Sequence, residues 1–209
     1  MRKLLILGLI ALSFSSCKKE VKPTPSVPTE TETKVEVENF YSSKDVQPHL
    51  KFNAEYSEYD FIGLPNPTAF TKEELSFNVK ENDFDYNKTA DFDYYNLSQF
   101  DLDKTNFKVI AYHSFGENDS KVVNVQLNSY QAGVQKDALL VDCRFTFETE
   151  YYRNFLIEKD GTIIVRKTAV DGLAFNEAGD IVGKKQVSDT TTQVIKYKVD
   201  KSGIFNKIK

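Results

Sequence analysis

The chain of 209 residues has no tryptophan, two histidines, two cysteines and a single methionine, the initiator. Each shortage closes off some chemistry. Zinc is normally held by Cys and His in close, paired spacing, and two of each without that spacing argue against such a site. The sequence has no phosphate-binding glycine loop, nucleophile elbow, HExxH helix or dinucleotide fingerprint, so no cofactor or metal is expected. Nor does any apolar run reach the ~20 residues needed to cross a bilayer as a helix. The formal charge is −4. A net acidic chain argues against nucleic acid, which is bound chiefly through its phosphates.

What is present begins at the N-terminus. Arg2 and Lys3 precede an apolar run from Leu4 to Leu12, broken only by Gly8. Ser13, Phe14, Ser15 and Ser16 then lead to Cys17. Charge, a short apolar run and small residues describe a secretory signal over residues 1–16. A cysteine directly after Ser15-Ser16 resembles a bacterial lipobox of the Bacteroidota type, with Phe14 where leucine is usual. The resemblance implies cleavage before Cys17, acylation of that residue and attachment to the outer membrane, facing the periplasm or the cell surface. Removing residues 1–16 takes away two of 27 basic residues and none of 31 acidic ones, leaving a mature chain near −6. With Cys17 acylated, Cys143 has no disulfide partner within the chain.

Residues 17–38 carry Pro23, Pro25 and Pro28 among many Thr and Glu, with almost no large apolar groups. That composition does not fold. It predicts a tether with a coil span of about 25 Å and a stretched limit of about 60 Å.

Residues 39–209 are expected to form one β-rich domain. In its first part, residues 39–105, Leu50, Phe52, Ala54 and Tyr56 alternate with polar residues, as in a strand. Thr71 and Glu74 form a capping box for a short helix near 72–79, with Phe70 placed to staple against Leu75. Phe84-Asp85-Tyr86, Phe92-Asp93-Tyr94 and Phe100-Asp101-Leu102 then recur at a spacing of eight. Two expectations stand side by side. Three extended segments bury the aromatics and leave the carboxylates in water. Alternatively Asp83, Asp85, Tyr86, Asn87, Asp91, Asp93, Tyr94 and Tyr95 form an acidic, aromatic surface for a sugar or calcium. Asp83-x-Asp85-x-Asn87 matches the opening of an EF-hand loop, but Lys88 replaces its glycine and Tyr94 its glutamate, which excludes an EF-hand.

Residues 106–209 alternate strongly. Phe107, Val109 and Ala111 share a face. Val123, Val125 and Leu127 oppose Asn124, Gln126 and Asn128. Leu139, Val141, Cys143, Phe145 and Phe147 alternate with Asp142, Arg144, Thr146 and Glu148. Such patterns predict antiparallel strands with one wet face. Three-residue loops ending in Gly161, Gly179 and Gly203 set Phe155 against Val165, Ile157 against Ile163, Phe175 against Ile181, and Val199 against Phe205. The expected fold is mainly β: an antiparallel hairpin meander forming a sandwich or a partly open barrel. Cys143 is expected to be buried, with His113 or His49 as the only candidate partners for a reactive thiol. Arg144, Arg153 and Arg166 are expected in ion pairs.

The β-rich part resembles no characterised family. Its tether, Phe and Tyr content and missing motifs suit a non-enzymatic binding module for a glycan or another envelope protein. A carboxylate-based hydrolase and a purely structural lipoprotein are the alternatives.

Overall fold

A computed structural model describes residues 39–116 and 119–209. Cys17 and the tether lie outside the described residues. Strands β4 (Tyr94–Leu102), β5 (Thr105–Phe115), β6 (Lys121–Gln131), β7 (Val134–Thr146), β8 (Thr149–Glu158), β9 (Thr162–Phe175), β10 (Ile181–Val199) and β11 (Phe205–Ile208) pair in sequence order. The result is an antiparallel meander that is not closed into a barrel.

The turns behave as local chemistry requires. Gly161, Gly179 and Gly203 adopt φ of +82°, +88° and +86°. Each donates its N–H to the carbonyl three residues back, on Glu158, Asn176 and Asp200 respectively. Phe155 faces Val165, Ile157 faces Ile163, Phe175 faces Ile181 and Val199 faces Phe205, in the expected register. Asn176 and Asp200 add side-chain bonds to backbone N–H groups two and four residues on. Such turn residues replace ladder bonds where the chain reverses.

The sheet curls at the β7–β8 corner. These strands pair only at Phe145–Tyr151 and Thr146–Glu150. Beyond that point β8 takes a different neighbour, β1 (Asn39–Ser42). The curl brings side chains from β5 to β11 together in one core, including Phe107, Val125, Leu139, Ile157, Val165, Tyr197 and Phe205. Val46 and Leu50, at the ends of the helical turns α1 (Ser43–Val46) and Gln47–His49, join it, as does Phe61. Phe61 ends a small hairpin of β2 (Leu50–Asn53) and β3 (Glu58–Phe61).

Three expectations need correction. First, β7 does not keep one apolar face. Its register with β6 slips between Val125–Asp142 and Gln126–Leu140. This bulge reverses the alternation. Leu139 and Val141 point into the main core, but Cys143 and Phe145 join Ala138 and Leu140 in an outer cluster. Asp142 and Arg144 are buried instead, paired at 2.8 Å.

Second, the face of β6 expected to be wet is dry. Asn124, Gln126 and Asn128 have no solvent exposure. Residues 70–93 fold back over this face. Their helix, α2 (Lys72–Ser76), and the residues on either side of it pack Phe70, Leu75, Phe77 and Val79 onto the outer clusters. Lys80 bonds by its backbone to Ala138 and Leu140 of β7. The Asn124 amide donates to Ser114 at 2.7 Å while its oxygen has no partner among the described residues, and Gln126 and Asn128 are satisfied in a chain. Tyr112 donates to Gln126 (3.2 Å), Gln126 to Asn128 (2.6 Å), Asn128 to Tyr130 (3.0 Å), and Tyr130 to Glu74 (2.6 Å). Burying amides without these bonds costs about 1–3 kcal/mol each.

Third, the first part of the domain is less extended than its alternation suggests. The capping box of α2 is present in both directions, but the helix stops at Ser76. β2 stops at Asn53, and Tyr56 is 65% exposed in the following turn. Of the three aromatic-acidic echoes only the last lies wholly in a strand, β4, which begins at Tyr94 of the second. Glu81 and Asp85 adopt φ of +60° and +53°, which breaks any strand through the first.

Candidate binding cleft

Asn82 shapes the loop that follows Lys80. Its amide accepts from the Tyr86 N–H (3.1 Å) and donates to the Tyr86 carbonyl (2.9 Å). The tight turn so formed presents Phe84, Asp85 and Asn87 outward. Two hairpin ends meet it: the end of β5 with Gly116 and Ser120, and the β7–β8 turn. Between them lies an open cleft of about 690 Å³.

One wall is a packed aromatic group. Phe84 meets Phe145 edge-on at 4.8 Å and Tyr151 at 5.3 Å. Phe145 stacks on Tyr151 at 4.8 Å, and Tyr86 meets Phe145 at 6.0 Å. Across from it Phe92 meets Phe115 at 5.7 Å. Phe147 stands at the β7–β8 turn. Phe84, Phe115 and Phe147 are 42%, 48% and 57% exposed. Large rings gathered and left open to water mark an interaction site more often than chance exposure does. Asp85, Asn87, Glu148 and Thr149 supply polar groups among the rings. Burial raises the Tyr86 phenol above its ordinary pKa, so its hydroxyl stays a neutral donor.

The eight residues expected to form a ligand surface divide sharply. Asp85, Tyr86 and Asn87 line the cleft. Asp83 turns away and binds Arg153 at 3.1 Å and Lys167 at 2.5 Å. Tyr94 is a core residue, only 2% exposed; it stacks on Phe70 at 4.0 Å, and its hydroxyl donates to the Thr89 carbonyl. Tyr95 turns the other way, against the main core, and its hydroxyl donates to Asp93 at 3.3 Å. Asp91 and Asp93 are exposed and outside the cleft. Among the described residues no three Asp, Glu, His or Cys side chains stand close enough to hold a metal ion.

The alternation of the sequence misplaced the rest of the site. Phe145 and Phe147 follow Leu139 and Val141 in an unbroken pattern and were expected beside them. The bulge carries Phe145 into the cleft wall instead. Phe115, Phe147 and Tyr151 sit at strand ends, where period-two patterns lose meaning.

The other reactive groups are occupied. Cys143 is buried, and burial pushes its thiol up to about 12. His113 stands 3.0 Å from Asp60 on the main-core side, not beside Cys143. Burial lowers its pKa, while Asp60 opposes the shift. Arg144 pairs with Asp142 on its own strand and Arg153 with a loop carboxylate, neither across strands as expected, and Arg166 makes no ion pair among the described residues. A second cleft of about 710 Å³ lies among three hairpin turns, lined by lysines and aspartates such as Lys104, Lys201 and Asp103, and it has no aromatic lining.

Compared with known proteins, the chain matches no family model, no curated protein sequence and no solved structure.

Proposed function

We propose that this protein is an exported, lipid-anchored binding module that holds a glycan in the cleft between the Phe84–Asn87 turn and the β7–β8 turn. The observation that carries the proposal is the set of three exposed rings, Phe84, Phe115 and Phe147, interleaved with Asp85, Asn87 and Glu148. Sugar rings offer apolar C–H faces to stack on aromatics and hydroxyls to donate to carboxylates and amides. A protein partner fits less well, because Asp and Glu are depleted from the centres of protein interfaces.

The anchor follows from the N-terminal pattern. Cys17 carries the acyl chains, and residues 18–38 let the domain reach away from the outer membrane. Each buried CH₂ contributes about 0.8 kcal/mol, so more than one chain makes attachment lasting. Palmitate labelling of cells should mark the wild-type chain, and Cys17→Ser should lose the label and leave the membrane. Retention of both by that variant would refute the anchor.

Binding is tested by calorimetry with soluble oligosaccharides. Phe115→Ala and Phe147→Ala should each weaken binding by about 0.5–1.5 kcal/mol or more, with little effect on folding. Binding unchanged in both would refute the cleft. The cleft also holds two carboxylates, Asp85 and Glu148, the minimum for a glycosidase. Release of reducing ends from a bound oligosaccharide would move the protein to that class.

A further inference from the structure

Among its described residues the cleft lining carries negative charge and no compensating positive charge. Among its described lining residues are Asp85 and Glu148, and no Lys, Arg or His. Neither carboxylate makes a side-chain hydrogen bond or ion pair among the described residues, and both residues are exposed.

Basic residues are not scarce nearby; they are turned elsewhere. Lys88 follows Asn87 in sequence, but its ammonium donates to the carbonyls of Glu74 (2.6 Å) and Phe77 (2.9 Å). Lys121 follows Ser120 and pairs with Asp60 at 3.0 Å. His113 precedes Ser114 and faces the same aspartate. Arg144 precedes Phe145 and is held by Asp142. Arg153 stands two residues after Tyr151 and reaches Asp83 and the carbonyls of Glu81 and Leu140. Each of these cations is held by a carboxylate or by backbone carbonyls outside the cleft lining, Arg153 included although it shares a face of β8 with Tyr151. A ligand carboxylate, sulfate or phosphate entering the cleft would meet two like charges and find no counter-charge to replace its lost water.

Resting on the glycan reading above, we infer that the cleft selects a saccharide without negative charge and rejects uronic, sulfated and phosphorylated glycans. Coulomb repulsion from one carboxylate about 6 Å away, at an effective dielectric constant of about 40, corresponds to roughly a tenfold loss of affinity.

The experiment uses matched pairs of soluble oligosaccharides differing only at C6: glucose and glucuronate, mannose and mannuronate, galactose and galacturonate oligomers. Affinities are measured by calorimetry at low ionic strength, where screening is weak. For any pair in which a member binds, the neutral oligomer should bind about tenfold or more tightly than its uronate. In an Asp85→Asn, Glu148→Gln double variant the ratio within the pair should fall to about twofold, whatever happens to absolute affinity. Asparagine tolerates the positive φ of residue 85. A uronate that binds wild type as tightly as its neutral partner, or a ratio unmoved in the double variant, overturns the inference and leaves glycan binding standing. If no member of any pair binds, glycan binding itself falls and the inference falls with it.

Discussion

Asp142 and Arg144, two residues apart on β7, pair at 2.8 Å on the inner side of a strand whose neighbouring positions are apolar. The Asp142 carboxylate is fully buried and also accepts the Arg153 N–H at 3.1 Å. Burial raises its pKa, and Arg144 opposes that shift. The pair sits where β7 hands over to β8, so it holds the corner about which the sheet curls.

Asp142→Ala should therefore destabilise the fold by about 3–5 kcal/mol, because it strands a buried guanidinium. Replacing both residues, Asp142→Leu with Arg144→Met, should cost clearly less. Urea midpoints of the two variants check this. Equal losses would mean that packing at the corner, rather than the charge pair, is what matters.

Gly161 and Gly179 close two turns of the same kind with nearly equal φ. A Cβ on Gly161 would stand 2.8 Å from Val199, whereas one on Gly179 meets nothing within 4 Å. Gly179→Ala should cost only the left-handed backbone penalty, about 1 kcal/mol. Gly161→Ala should cost more, and the difference in melting temperature measures the clash with β10.

The sequence made these turns readable because a glycine, a short polar loop and flanking alternation are all local. The β7 bulge was not readable. Leu139 to Phe147 alternates without a glycine or proline, and Asp142 and Arg144 look like any solvent-facing pair. Likewise Asn124, Gln126 and Asn128 read as a wet face because the segment that covers them, residues 70–93, precedes β6 by some thirty to fifty positions. The cleft was half legible for the same reason. Asp85, Tyr86 and Asn87 stand in one recurrent motif, but Phe115, Phe147 and Tyr151 reach it from two other hairpin ends.

Glu81 gives the domain an acid-sensitive joint. It is half-buried among cations: Lys167 at 2.5 Å and Lys207 at 3.3 Å, with the Tyr197 hydroxyl also bonded to it. Burial alone would raise its pKa, but the bonds from Lys167 and Tyr197 and the nearby charges outweigh it, giving about 2. Its folded pKa is thus depressed from the usual 4.5. The stability it contributes is present above pH ~4.5 and is lost as pH falls toward ~2. After allowance for solvent screening it is on the order of 2 kcal/mol. Glu81→Gln should flatten the fall in urea midpoint over that window.

Cys143 should be inert in the folded chain. Its thiol is 1% exposed and far too basic to ionise near neutrality. Reaction of the Cys17→Ser chain with a thiol reagent should follow the rate of opening and become fast only in denaturant. Rapid native-state labelling would contradict the packing of the outer cluster.

The most direct test of the cleft is a saccharide titration followed by NMR, using the mature Cys17→Ser chain with labelled Phe and Tyr side chains. A neutral oligosaccharide should produce saturable shifts that begin at Phe84, Phe115, Phe147 and Tyr151. Shifts that instead map to the lysine-bearing cleft around Lys104 and Lys201, or no shift with any saccharide, would contradict the proposed site.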